Sequence, residues 1–135
     1  MANAHDWNAA NRLVIEEFRA NGGKDRTMLL TTIGAKSGLS RINPLVYTMD
    51  GDRVIIIASK GGSPTHPDWY HNLVAHPEVT VELGSERFQA RAIVAAGAER
   101  RRLYDRMAAQ MTFFADYEKK TAREIPLIIL ERIGA

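Results

Sequence analysis

Two short stretches gather lysine, glycine and hydroxyl side chains at the ends of apolar runs: "GAKSGLSRIN" at residues 34–43 and "SKGGSP" at 59–64. In the first, Gly34 and Gly38 permit backbone dihedrals that let N–H groups converge. Lys36 adds a point charge and Ser37 a hydroxyl donor, and Arg41 offers a planar fork that can grip two oxygens of one anion. Asn43 places an amide just inside the next apolar run. Each charge-assisted hydrogen bond made there would contribute about 1.5–3 kcal/mol. The same composition also suits a solvated basic hairpin turn. In the second stretch, Lys60-Gly61-Gly62 at the end of a wholly apolar run lets a ligand approach the backbone closely. Lys60 reaches the same anion if the strands at 27–33 and 54–58 end on one side of their sheet. Two such loops in one small domain point to a shared site for an anionic small molecule.

Aromatic residues could supply the walls. Trp69 and Tyr70 sit at a loop–helix junction after Lys60, where core packing or a face for a planar ring are both open. Phe113, Phe114 and Tyr117, with Tyr104 upstream, have helical spacing. They read as packing or as a lid whose Tyr117 hydroxyl donates a hydrogen bond. His66, His71 and His76 are each five residues apart, which puts no two on one helical face, and H-E-x-x-H is absent, so no metal is expected. No G-x-S-x-G elbow appears, and the carboxylates lie in contexts such as "IEEF" and "EKKTARE" that read as solubilising charge. "RRR" at 100–102 opens a helix, against the sense of the helix dipole, and is expected to face solvent or a carboxylate.

The elements that position these groups follow from periodicity. A helix is expected at 7–20, where Trp7, Ala10, Val14 and Phe18 form a stripe that Asn21-Gly22-Gly23 ends. Strands are expected at 27–33, 42–49, 54–58, 79–83, 86–95 and 126–133. Pro44 marks an edge or bulge, Asp50-Gly51 a hairpin, and "VIIIA" at 54–58 a strand buried on both faces. A helix with Pro67 in its first turn is expected, with Thr65 or His66 as its cap, and another spans 98–111. Residues 112–125 stay ambiguous. About six strands in hairpin order with three helices make an α+β domain built on an antiparallel sheet or barrel.

With 135 residues the chain is read as one domain. A net charge of +2 argues against nucleic acid while permitting a local basic site. No cysteine excludes thiolate chemistry and suits a reducing compartment such as the cytoplasm. No apolar stretch is long enough to span a membrane. The N-terminal helix could touch a membrane, though Glu16-Glu17 weighs against an anionic surface.

"TTIGAKSGLSRINPL", "DGDRVIIIASKGGSPTHPDWYHNLVAHPEVTVEL" and "IPLIILERI" resemble the deazaflavin-dependent nitroreductase family, over roughly residues 27–133. The motifs G-x-K-[ST]-G-x-x-R-x-N-P and S-K-G-G…W-Y-x-N-L carry the resemblance by their order and spacing. It implies a split β-barrel of the FMN-binding type that uses coenzyme F420. It further implies that Lys36, Ser37, Gly38, Arg41 and Lys60 hold the coenzyme's phosphate and acidic tail. Asn43 and Pro44 would lie against the deazaflavin ring, Gly61 and Gly62 would present backbone, and Trp69 and Asn72 would complete the wall. Reduced coenzyme would pass hydride from C5 to a quinone-like, nitroaromatic or related acceptor, with Ser59 and Tyr117 polarising or protonating it. Ala35 stands where the family commonly has arginine. Phe114 stands in place of one family tyrosine, while Tyr117 matches another. The alternatives are an FMN-binding split-barrel oxidoreductase, a deazaflavin carrier without turnover, and an interaction domain that binds no flavin. Monomer and homodimer both stay open.

Overall fold

The structure, a computed structural model, describes residues 12–16, 18–20 and 27–133. Helix α1 is seen at 12–16 and 18–20; the expected start at residue 7 lies outside the described residues. Seven strands follow, with three further helices: β1 Thr27–Ile33, β2 Ser40–Val46, β3 Thr48–Asp50, β4 Arg53–Ile57, α2 Asp68–Ala75, β5 Glu78–Leu83, β6 Glu86–Val94, α3 Gly97–Gln110, α4 Phe113–Lys120 and β7 Leu127–Arg132. A 3-10 turn at Lys60–Gly62 separates β4 from α2.

The sheet order is β2-β1-β5-β6-β7-β4-β3, and every neighbouring pair is antiparallel. The two outermost strands, β2 and β3, are consecutive in sequence and separated by Tyr47 alone. The single strand expected at 42–49 is therefore two. The segment leaves β1 on one edge of the sheet and joins β4 on the other, and the break at Tyr47 is the bend this demands. One segment thus closes the curled sheet into a split barrel, which accounts for seven strands where about six were expected. Pro44 pairs opposite Leu29 on edge strand β2, where its missing N–H costs no ladder bond on the open side. Gly51, with φ of 65°, turns the β3–β4 hairpin.

Strand alternation divides the core in two. One face of every strand looks inward: Met28 and Leu30, Val54 and Ile56, Val79 and Val81, Ala90, and Ile128 and Leu130 pack together with Trp69 and Leu73 of α2. On the outer face of β4 and β7, Ile55, Ile57, Leu127 and Ile129 pack under Leu103, Tyr104 and Met107 of α3 and Phe114 of α4. The uninterrupted apolar run of β4 thus serves both cores, as a strand buried on two faces must. Phe18 of α1 is buried, and Arg19 pairs with Glu82 of β5 at 3.0 Å. Phe113–Lys120 is helical, so the ambiguous stretch supplies a fourth helix. Pro67 stands just outside α2 as its N-cap, and neither Thr65 nor His66 caps it through a side chain.

Candidate functional site

Antiparallel pairing from β1 through β5, β6 and β7 to β4 reverses direction at each step, so β1 and β4 run the same way. The basic turn after β1 and the glycine loop after β4 therefore leave the barrel on one side, the condition under which Lys60 and the basic turn can serve one anion.

The glycine loop is wound left-handed. Lys60, Gly61 and Gly62 have φ of 48°, 64° and 82°. For a lysine this conformation costs about 1–2 kcal/mol, and it persists because its surroundings determine it. Gly62 donates to the Ser59 carbonyl at 3.0 Å, and the Ser63 N–H and hydroxyl both donate to the Lys60 carbonyl, at 3.1 and 2.7 Å. Gly62 is buried under α4, where an added Cβ would meet Lys120 Cβ at 3.0 Å and the Tyr117 carbonyl at 3.2 Å. Gly61 faces open space. The Lys60 ammonium donates to Thr65 Oγ1 at 3.3 Å and keeps further donors for a ligand.

The basic turn is built differently. Ala35 through Arg41 are all exposed. The turn closes through Gly34 N–H to the Leu39 carbonyl (2.8 Å) and Gly38 N–H to the Gly34 carbonyl (2.9 Å). Ser37 Oγ accepts from Leu39 N–H at 3.2 Å and lies 2.4 Å from where a Gly34 Cβ would be, so a side chain at 34 would displace this hydroxyl. Lys36 has no hydrogen bond or ion pair within the described residues. Among the described residues Arg41 reaches only the Ser40 carbonyl, at 3.4 Å, and with Arg12, Arg19 and Ile42 it lines a hollow of about 560 Å³ beside α1. Asn72, expected on the wall, lies behind the turn instead: 8% exposed, it accepts from Ala35 N–H at 2.9 Å and donates to Thr32 Oγ1 at 3.1 Å. It ties α2 to the base of the turn.

Between β2 and the end of β4 no ladder forms, and a cavity of about 660 Å³ occupies the gap. Asn43, Pro44, Leu45 and Val46 line it from β2. Ile57, Ser59, Lys60 and Gly61 line it from β4 and its loop. Pro67, Asp68 and Trp69 line it from the start of α2, and Phe113, Phe114 and Tyr117 from α4. Seven of the expected site residues thus line this one cavity: Asn43, Pro44, Ser59, Lys60, Gly61, Trp69 and Tyr117. Lys36, Ser37, Gly38 and Arg41 do not line it; Gly62 and Asn72 support it from behind. Trp69 serves both readings open from sequence, packing in the inner core while it lines the cavity. Phe113 is 39% exposed at the mouth, and its ring stands 4.6 Å from Phe114 and 5.5 Å from Tyr117. The volume suits a cofactor-sized ligand, and mostly apolar walls with a few placed polar groups suit a planar ring bearing a charged tail.

Three polar residues have contacts that the sequence reading did not assign. Arg100 is 7% exposed and donates twice to the Ile125 carbonyl, at 2.7 and 3.2 Å, with Glu124 at 3.1 Å. All three arginines of the "RRR" run face carboxylates as expected, Arg101 and Arg102 toward Asp105, Glu118 and Asp50 and Arg100 toward Glu118 and Glu124; the burial of Arg100 was not foreseen. The Tyr104 hydroxyl donates to the Phe114 carbonyl at 2.8 Å and joins α3 to α4; burial, with Glu118 nearby, pushes its pKa up to about 12. Arg123, inside a charged stretch with no local pattern, donates into the glycine loop at Ala58, Ser59 and Ser63.

Comparison with known proteins follows this geometry. The F420H(2)-dependent quinone reductase family model matches residues 7–132. A protein of Mycobacterium tuberculosis (strain H37Rv) called an F420H(2)-dependent quinone reductase is 37% identical over 113 residues, 82% of this chain and 76% of that one. A solved structure of an F420-H2 dependent reductase superposes with a TM-score of 0.73 at 37% identity, covering 78% of this chain and 94% of that one. Another, described as a domain-swapped dimer, gives 0.77 at 33% identity over 96% of this chain and all of that one. By these matches the chain belongs to the F420H(2)-dependent quinone reductase family.

Proposed function

We propose that this protein is an F420H(2)-dependent quinone reductase whose 135 residues form one coenzyme-binding domain, with the cavity between β2 and β4 as its active site. The observation that carries the site is the gap itself, flanked by two lysine-glycine turns that leave the barrel on one side. When bound, reduced coenzyme F420 supplies a hydride, a two-electron donor that suits quinones.

The residues divide that work. Pro44, Asn43 and Trp69 hold a planar ring by its faces and edge. Lys60 and the backbone at Gly61 meet the start of the anionic tail; Lys36, Ser37, Gly38 and Arg41, outside the cavity and exposed, hold the phosphate and tail where these emerge. Gly62 contributes by letting α4 sit close. Val46, Ile57, Phe113 and Phe114 exclude water and stack against an apolar acceptor. The Ser59 and Tyr117 hydroxyls donate hydrogen bonds to the acceptor's carbonyl oxygen, and the proton that completes reduction arrives from solvent through one of them.

Anaerobic mixing with reduced coenzyme and a soluble menaquinone or benzoquinone analogue, followed by the return of deazaflavin absorbance, tests this reading. Turnover should be lowered about tenfold or more by Ser59→Ala or Tyr117→Phe; full activity in both would remove the assigned roles. Nitroaromatic acceptors belong in the same assay. The domain-swapped relative supports a homodimer, which light scattering after size exclusion tests. No helix among the described residues is long and apolar enough to cross a membrane, and vesicle flotation tests peripheral contact.

A further inference from the structure

We propose that Arg123 is a positioning residue that holds the glycine loop in its ligand-ready form from behind the cavity wall. The inference rests on the reading of that loop as the coenzyme's wall. Arg123 lies between α4 and β7. Its Nε donates to the Ser63 carbonyl at 2.8 Å. One terminal nitrogen donates to the Ala58 carbonyl at 3.3 Å and contacts His66 Nδ1 at 2.8 Å. The other donates to the Ala58 carbonyl at 3.3 Å and to the Ser59 carbonyl at 2.7 Å.

A guanidinium has five N–H donors and no acceptor, and here all five are used. Arg123 therefore has none left for a ligand and acts only through the loop. Since it cannot accept, His66 Nδ1 must, which fixes the imidazole as neutral with its proton on Nε2. No carboxylate pairs with Arg123 among the described residues, so one positive charge stands directly behind Ser59 and Lys60 with carbonyls and an imidazole as its only partners. That arrangement suits an anionic ligand on the opposite side of the loop. Three successive residues with positive φ, one of them a lysine, need such a tether, because short loop hydrogen bonds alone leave the ordinary right-handed turn available. Lysine cannot span four acceptors, so the substitution Arg123→Lys keeps the charge and removes the geometry.

The experiment has two readouts. Amide hydrogen exchange on the protein without coenzyme reports the loop: at residues 60–63, Arg123→Lys and Arg123→Gln should exchange at least tenfold faster than the parent chain, while β5 and β6 amides stay protected. Fluorescence titration with coenzyme F420 reports the consequence: Kd should rise about tenfold in both variants, with kcat at saturating coenzyme kept within about threefold. A role confined to overall stability would lower the folded fraction and leave the Kd of folded molecules unchanged, which overturns the proposal, as do unchanged loop exchange and unchanged Kd. If neither variant folds, the parent chain decides by NMR: protected Arg123 guanidinium protons support the tether, and freely exchanging ones overturn it. If the parent chain binds no coenzyme, the functional reading fails on its own, while the exchange result still judges the tether.

Discussion

The two lysine-glycine turns look alike in sequence and are opposites in structure. The turn after β1 is exposed from Ala35 to Arg41, closes on its own backbone, and among the described residues beyond the turn is hydrogen-bonded by the side chain of Asn72 alone. The loop after β4 is left-handed at three residues, lies under α4 and is held by Arg123. A binding loop that must approach a rigid ring needs its shape set in advance, since ordering it on binding would cost affinity. A turn that is to grip a flexible acidic tail needs charge and reach, and the exposed Lys36 and Arg41 would supply both. On the proposed reading the difference between them is one of work: the inner loop would shape the site and the outer turn would attract the tail.

The largest expected effect comes from removing a glycine in each. Gly62→Ala forces Cβ against Lys120 and the Tyr117 backbone at a φ of 82°. It should destabilise the protein by about 2–4 kcal/mol, read as a fall in Tm. Gly38→Ala, at a φ of 72° with nothing within 4 Å, should cost about 1 kcal/mol. Equal losses would erase the contrast.

Asn72→Ala comes next. It leaves Ala35 N–H and Thr32 Oγ1 without their partner and should lower stability by about 1–3 kcal/mol. Chemical denaturation measures that, and coenzyme titration of the folded variant should show weaker binding as the outer turn loosens.

Charge removal in the outer turn should act on binding without acting on folding. Lys36→Ala and Arg41→Ala should each weaken coenzyme F420 binding roughly tenfold, about 1.4 kcal/mol, with stability within about 0.5 kcal/mol of the parent chain. A large drop in Tm in either would show that the turn is structural.

The smallest effect is a pH dependence of the inner loop. His66 is held below the ordinary imidazole value of 6.5, first by burial, then by Arg123 and His71. The neutral form is thus favoured in the fold. Above pH 6.5 both folded and unfolded chains carry it neutral, and its full contribution is present. As pH falls below 6.5 the unfolded chain takes the proton first, so stability declines through the window down to the folded pKa. Tyr70 and His71 face the same ring, at 4.7 and 5.8 Å. Comparing Tm at pH 7.5 and 5.5 in the parent chain and in His66→Phe should show a smaller pH dependence in the variant.

Local pattern made most of the barrel legible. β1 was read at its observed limits, β4 announced itself by an apolar run with no polar alternation, and Asp50-Gly51 marked its hairpin. The break at Tyr47 was not legible, because it answers a demand of topology: one segment must join both edges of the sheet. Helix α4 was ambiguous because eight residues hold too few turns for a clear period. In the site, the cavity wall was recognisable wherever residue types carried a meaning of their own, as at Lys60, Gly61 and Trp69. Arg123 escaped, and Asn72 was singled out but set on the wall and not behind the turn, because what each does depends on which distant backbone groups it meets, across 37 residues for Asn72 and Ala35 and 64 for Arg123 and Ser59.

A side-by-side fluorescence titration with coenzyme F420 and FMN, on the parent chain and on the Lys36→Ala, Arg41→Ala double variant, tests the central claim most directly. The division of work predicts tight binding of F420, weaker binding of FMN, and a loss in the double variant that falls heavily on F420, whose acidic tail the outer turn would grip. Preference for FMN, or equal F420 binding by parent and double variant, would contradict it.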